Sequence, residues 1–139
     1  MRALSNVVLL IIQVIIASVV GSAESHAQTI TGSSTIALRS GESAELGAVY
    51  LVSNCRSLLK GTPEAEVLDG PPGVSVAVRQ EEVLPRRQKC ANRVPGGMMV
   101  ITAKDIEDPS YTPLTIRVTY QTRDGVRKFS HVYNLRLFP

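Results

Sequence analysis

The segment Val74-Ser75-Val76-Ala77-Val78-Arg79 alternates large apolar side chains with small or polar ones at a period of two. A strand places successive side chains on opposite faces, so this pattern specifies a sheet with Val74, Val76 and Val78 on one side. The same period recurs over residues 115–122, where Ile116, Val118 and Tyr120 face inward. Further runs at residues 29–39, 43–53, 64–68, 98–103 and 126–138 bring the count to about seven strands. Residues 43–53 carry Leu46, Val49, Tyr50, Leu51 and Val52, too apolar for an exposed strand, and so take a central place. In the last run Phe129, Val132, Leu135 and Leu137 are the expected core contributors. Turn residues punctuate the runs: Ser40-Gly41, Asp69-Gly70-Pro71-Pro72-Gly73, and Arg123-Asp124-Gly125, a hairpin turn with Asp-Gly at its core. Ser57-Leu58-Leu59-Lys60 leaves room for one helical turn and nothing longer. Short strands at regular spacing without an amphipathic helix predict an all-β fold, a single antiparallel sandwich.

The amino terminus sets the compartment. Arg2 precedes an apolar run from Val7 to Val20, and Gly21, Ala23, Ser25 and Ala27 supply small residues before a cut. A short positive end, an apolar segment of about 14 residues and a small-x-small site form a secretory signal. Residues 1–27 are therefore read as a cleaved signal with Gln28 as the new amino terminus; Gly21 and Ala23 offer a second cut. A membrane-spanning helix needs about 20 apolar residues, and this run is shorter and interrupted by Gln13. No stable membrane span is expected after cleavage, and the protein is expected in the periplasm or secreted.

Removing 27 of the 139 residues leaves 112, a common size for one domain, here residues 28–139. Its only cysteines are Cys55 and Cys90. In an oxidising compartment an even pair in a small domain reads as a disulfide, and the spacing fits neither a metal site nor a Cys-x-x-Cys redox site. The net charge of +3 is too mild for a nucleic-acid footprint, so no nucleic-acid partner is expected.

The hairpin Leu114-Thr115-Ile116-Arg117-Val118-Thr119-Tyr120-Gln121-Thr122-Arg123-Asp124-Gly125 resembles the penultimate strand and turn of immunoglobulin-like domains in bacterial exported proteins. Those domains often carry a Val-x-Tyr strand followed by an Asp-Gly-type turn. The mature chain as a whole is similar to small uncharacterised exported proteins of Gram-negative bacteria. The resemblance implies an immunoglobulin-like β-sandwich. The chain departs from the antibody pattern in having no Trp to pack on the bridge, and Cys55 follows a strand. A disulfide tying a loop to the sandwich edge suits these positions better than one between the sheets.

Catalytic groups are sparse. His131 is the single histidine after the signal, and its neighbour Ser130 points to the opposite face of the strand, so the two cannot serve each other. Asp105, Glu107 and Asp108 offer oxygens that could hold Ca²⁺, yet lack the alternation of a calcium loop and read as a solvated turn. Glu81-Glu82 and Glu64/Glu66 are paired carboxylates without the aromatic-lined cleft that a glycosidase would bring. Gly96-Gly97 has no following helix or Lys-Ser/Thr and is not a phosphate loop. No catalytic residue, metal or cofactor is assigned, and the chain is not expected to be an enzyme.

The stretch from Val83 to Gly97 carries Arg86, Arg87, Lys89 and Arg93 between Pro85 and Pro95, tethered at Cys90. Prolines and a covalent tether reduce the entropy lost on binding, and arginine grips carboxylate or phosphate with two hydrogen bonds at once. These four cations are the candidate binding residues. The expected function is a binding or interaction module that contacts an anionic envelope component or a partner protein. The alternatives are an assembly protein pairing through a strand edge, a protease inhibitor offering Arg86 or Arg87, and a small hydrolase.

Overall fold

The computed structural model describes residues 29–139; the export signal assigned to residues 1–27 lies outside the described residues. Nine strands follow one another in the described chain: β1 (Thr29–Arg39), β2 (Ser43–Val49), β3 (Val52–Ser53), β4 (Arg56–Ser57), β5 (Glu64–Asp69), β6 (Val74–Val83), β7 (Val94–Ala103), β8 (Ser110–Thr122) and β9 (Gly125–Phe138). They form a four-stranded sheet in the order β1-β9-β8-β5, a three-stranded sheet in the order β2-β7-β6, and the small hairpin β3-β4. The ladders are antiparallel except for β1, which runs parallel to β9. This all-β architecture agrees with the expected sandwich, and its strand order is compatible with an immunoglobulin-like arrangement.

The core lies between the two larger sheets. Met99, Ile101 and Ala103 of β7 and Val49 of β2 pack with Leu38 of β1, Leu114, Ile116, Val118 and Tyr120 of β8, and Leu135 and Leu137 of β9. Every second residue of β8 from Leu114 to Tyr120 is buried, as its alternation requires. Val74, Val76 and Val78 pack against this core together, while Ser75, Ala77 and Arg79 are exposed.

The structure departs from the sequence reading at four points. Residues 43–53 form neither one strand nor a central one: β2 lies at the edge of its sheet, leaves β7 after the pair Val49↔Gly97, and the chain turns into β3-β4. The helical turn at residues 57–60 is absent. Ser57 lies in β4, and Leu59 bridges Thr122 while the Lys60 N–H donates to the Gln121 carbonyl at 2.9 Å, which holds this segment extended. Val132 is not in the core, because Phe129 and Val132 stand three apart, a helical spacing that a strand sends to opposite faces. At the last hairpin the central residues are Arg123 and Asp124, since Thr122 pairs with Gly125, which adopts φ 127°. The Thr122 hydroxyl closes that turn, donating to the Gly125 carbonyl at 2.8 Å and accepting from the Asp124 N–H at 3.2 Å.

Candidate binding site

The inward face of β9 changes character along its length. Leu137 and Leu135 come first from the carboxyl end, then Tyr133, His131 and Phe129. The leucines are sealed from solvent, whereas the three ring residues are half-buried. They stand at one wall of an open cleft of about 590 Å³ between the sheets. The opposite wall comes from β2, the segment that follows it and the middle of β7, with Leu46, Val49, Leu51, Met98 and Met99. A bulge shapes that wall. The β2–β7 register slips between Glu45 and Gly47, leaving Leu46 unpaired, and Gly47 adopts φ 143°, a conformation L side chains rarely take. Gly97 lets β7 pass close by, since a Cβ there would strike the Val78 side chain and stand 3.0 Å from the Arg79 carbonyl oxygen.

The rings are organised among themselves. Tyr120 and Phe129 meet edge to face, with centroids 5.6 Å apart and planes at 80°, and His131 stacks with Tyr133 at 6.4 Å and 19°. Four of the chain's six aromatic residues, Tyr50, Tyr120, Phe129 and Tyr133, line this single cleft. Burial, reinforced by Tyr133 and Tyr50, pushes the Tyr120 phenol up to about 12. Burial also raises the Tyr133 phenol. The His131 imidazole is pushed below its ordinary value, first by burial and then by the nearby Arg87 guanidinium. Its Nε2 is buried with no hydrogen-bond partner. A neutral imidazole with an unpaired buried nitrogen carries an unmet polar demand.

The mouth is formed by the β6–β7 connection. Val83 and Val94 close the ladder as its last pair, so the loop proper spans residues 84–93 and the strands extend further into it than the sequence indicates. Pro85 and Cys90 are buried, while Arg86, Arg87, Lys89 and Arg93 are exposed. A 3-10 turn over Arg86–Gln88 ends at Lys89 in the left-handed conformation, where the Lys89 N–H donates to the Arg86 carbonyl at 3.0 Å. The Cys90 N–H donates to the Pro85 carbonyl at 3.2 Å. The Tyr50 hydroxyl donates to Gln88 Oε1 at 3.0 Å, and Arg93 Nη1 donates to the Glu82 carbonyl at 3.2 Å.

The Cys55–Cys90 disulfide fixes the loop from outside, with a Cα–Cα separation of 5.5 Å. Cys55 sits with Asn54 at the tip of the β3-β4 hairpin, both at positive φ, as a two-residue type I′ turn requires. The expected disulfide is present, and it joins the tip of a separate hairpin to the loop rather than a loop to the sandwich edge.

Of the four candidate cations, Arg86, Arg87 and Arg93 line the cleft and Lys89 does not. Among the described residues no ion pair engages any of the four; Arg79 takes up Glu45 and Glu81, and Arg117 takes up Glu66. Ser130 and His131 lie on opposite faces of β9, as expected. Asp105, Glu107 and Asp108 are exposed between β7 and β8, and among the described residues no cluster of three or more such side chains is arranged to hold a metal ion. Gly96-Gly97 lies within β7. Tyr50, Tyr120, Phe129, His131 and Tyr133 are the site residues the sequence reading missed. The signal for three of them is the alternation 129-131-133-135-137, which ties His131 and Tyr133 to the face of Leu135.

No family model matches the chain, and no curated protein or solved structure is significantly similar to it.

Proposed function

We propose that this chain is an exported, non-catalytic binding module that contacts an anionic component of the cell envelope through its disulfide-tethered basic loop. The observation that carries the reading is the placement of Arg86, Arg87 and Arg93 around the cleft mouth, with no carboxylate partner among the described residues. An arginine already paired inside its own protein has its hydrogen bonds spent; Arg86 and Arg87 have theirs to offer, and Arg93 gives one to the Glu82 carbonyl. The buried Pro85 and Cys90 hold the loop, so binding an anion costs little further ordering. The disulfide is compatible with an oxidising location outside the cytoplasm. Among the described residues no helix is long and apolar enough to cross a membrane.

The test is affinity capture from envelope extracts at low and high salt, with the purified protein and the variant R86Q/R87Q/K89Q/R93Q as baits. Capture that weakens with salt and disappears in the variant supports the reading, because exposed charge contacts are screened. Equal capture by both proteins contradicts it.

A further inference from the structure

The cleft behind the loop has a chemistry that an anion alone does not use. Its walls carry half-buried apolar and aromatic side chains, Leu46, Leu51 and Phe129, and its mouth is cationic, with Arg86 and Arg87. His131 lines the same cleft, its buried Nε2 has no partner, and the Arg87 guanidinium helps to lower its pKa. At about 590 Å³ the space falls within the ~300–1,000 Å³ of small-molecule sites. Apolar walls, a few convergent polar groups and a charged rim describe a site for one molecule with two ends.

We infer that the cleft binds a single-chain anionic amphiphile, its acidic head between Arg87, Arg86 and His131 and its apolar chain along Leu46, Leu51 and Phe129. This rests on the anion-binding reading of the loop and adds to it the ligand class. The arginines supply charge-assisted hydrogen bonds to the head, and an Nε2–H donor on His131 gives a head oxygen a third contact. The chain removes apolar wall surface from water, which inorganic anions cannot do. A free fatty acid and a single-chain phospholipid share this chemistry and differ in the head.

Isothermal titration of the purified protein distinguishes the possibilities, using dodecanoate, a single-chain dodecyl phospholipid, dodecanol and acetate, each below its micelle concentration. The expected result is saturable one-to-one binding of dodecanoate or of the phospholipid, the tighter of the two identifying the head. Dodecanol and acetate should each bind at least about tenfold more weakly, as each lacks one half of the recognition. Arg86→Gln with Arg87→Gln should weaken binding of the acid by about tenfold or more. Arg136→Gln, on the outer face over the Tyr111 ring, should leave it unchanged. His131→Gln, which keeps an N–H donor, should bind better than His131→Phe. No saturable binding of either amphiphile overturns the inference while leaving loop-driven capture intact. Dodecanol binding as tightly as dodecanoate contradicts the anionic head, and with it the role given to the loop.

Discussion

The two ends of the β9 inward face differ although they belong to one strand and face the same partner sheet. At one end Leu135 and Leu137 meet Leu38, Ile101 and Ala103 with at most 3% of any side chain exposed. At the other, Phe129, His131 and Tyr133 border an open cleft and are only half-buried. Alternation alone does not distinguish the ends, since both obey period two. The difference lies in what stands opposite. A regular β7 seals the first end, while a bulged β2 and the turning loop of residues 84–93 hold the second apart. Stability is concentrated where packing is complete, and the proposed recognition where it is not.

Truncation at the sealed end should have the largest effect. Leu135→Ala should cost about 2–5 kcal/mol, since a fully buried leucine leaves a cavity its neighbours cannot close. Phe129→Ala, at a wall already open to solvent, should cost on the order of 1 kcal/mol. Urea midpoints of the two variants check this, and equal losses would break the distinction between the ends.

Next in size is the tether. Replacing Cys55 and Cys90 by serine opens a link spanning a separation of 35 residues, which loop-closure entropy values at up to about 4 kcal/mol. Hydrogen exchange should then speed up over the loop of residues 84–93 while the amides of Ile116 and Leu135 stay protected close to the global limit. Uniform acceleration would show that the loop and the sealed end are not separable.

The smallest effect is that of pH. His131 is held below its ordinary value of 6.5 in the folded protein. The unfolded chain therefore protonates first as the solution is acidified. The stability tied to the neutral imidazole is complete above about pH 6.5 and is lost as pH falls through that value towards the lower folded one. Denaturation midpoints between about pH 7.5 and 5 should fall more steeply for the native protein than for His131→Gln; identical slopes would place His131 in open solvent.

The sealed end was legible from residues alone. Val74, Val76 and Val78, and Ile116 and Val118, carry their facing in their spacing, and the Cys55–Cys90 bridge followed from an even pair of cysteines in a small domain. The loop cations were legible as a composition, but their position was not. Arg87 reaches the neighbourhood of His131 only because β6 and β7 return across the sandwich to β9, a long-range juxtaposition that no local pattern encodes. The cleft depends on Gly47 and the unpaired Leu46, where register slips by one residue, and alternation gives no warning of such a slip. Reading Val132 rather than His131 and Tyr133 as core came from counting in threes on a strand that counts in twos.

The most direct test of the account is an NMR titration of the purified protein with dodecanoate. Saturable shifts are expected at Arg86, Arg87, Phe129, His131 and Tyr133, with Leu135 and Leu137 unmoved. Shifts confined to the outer face around Tyr111 and Phe138, or no saturable shift at His131, would contradict it.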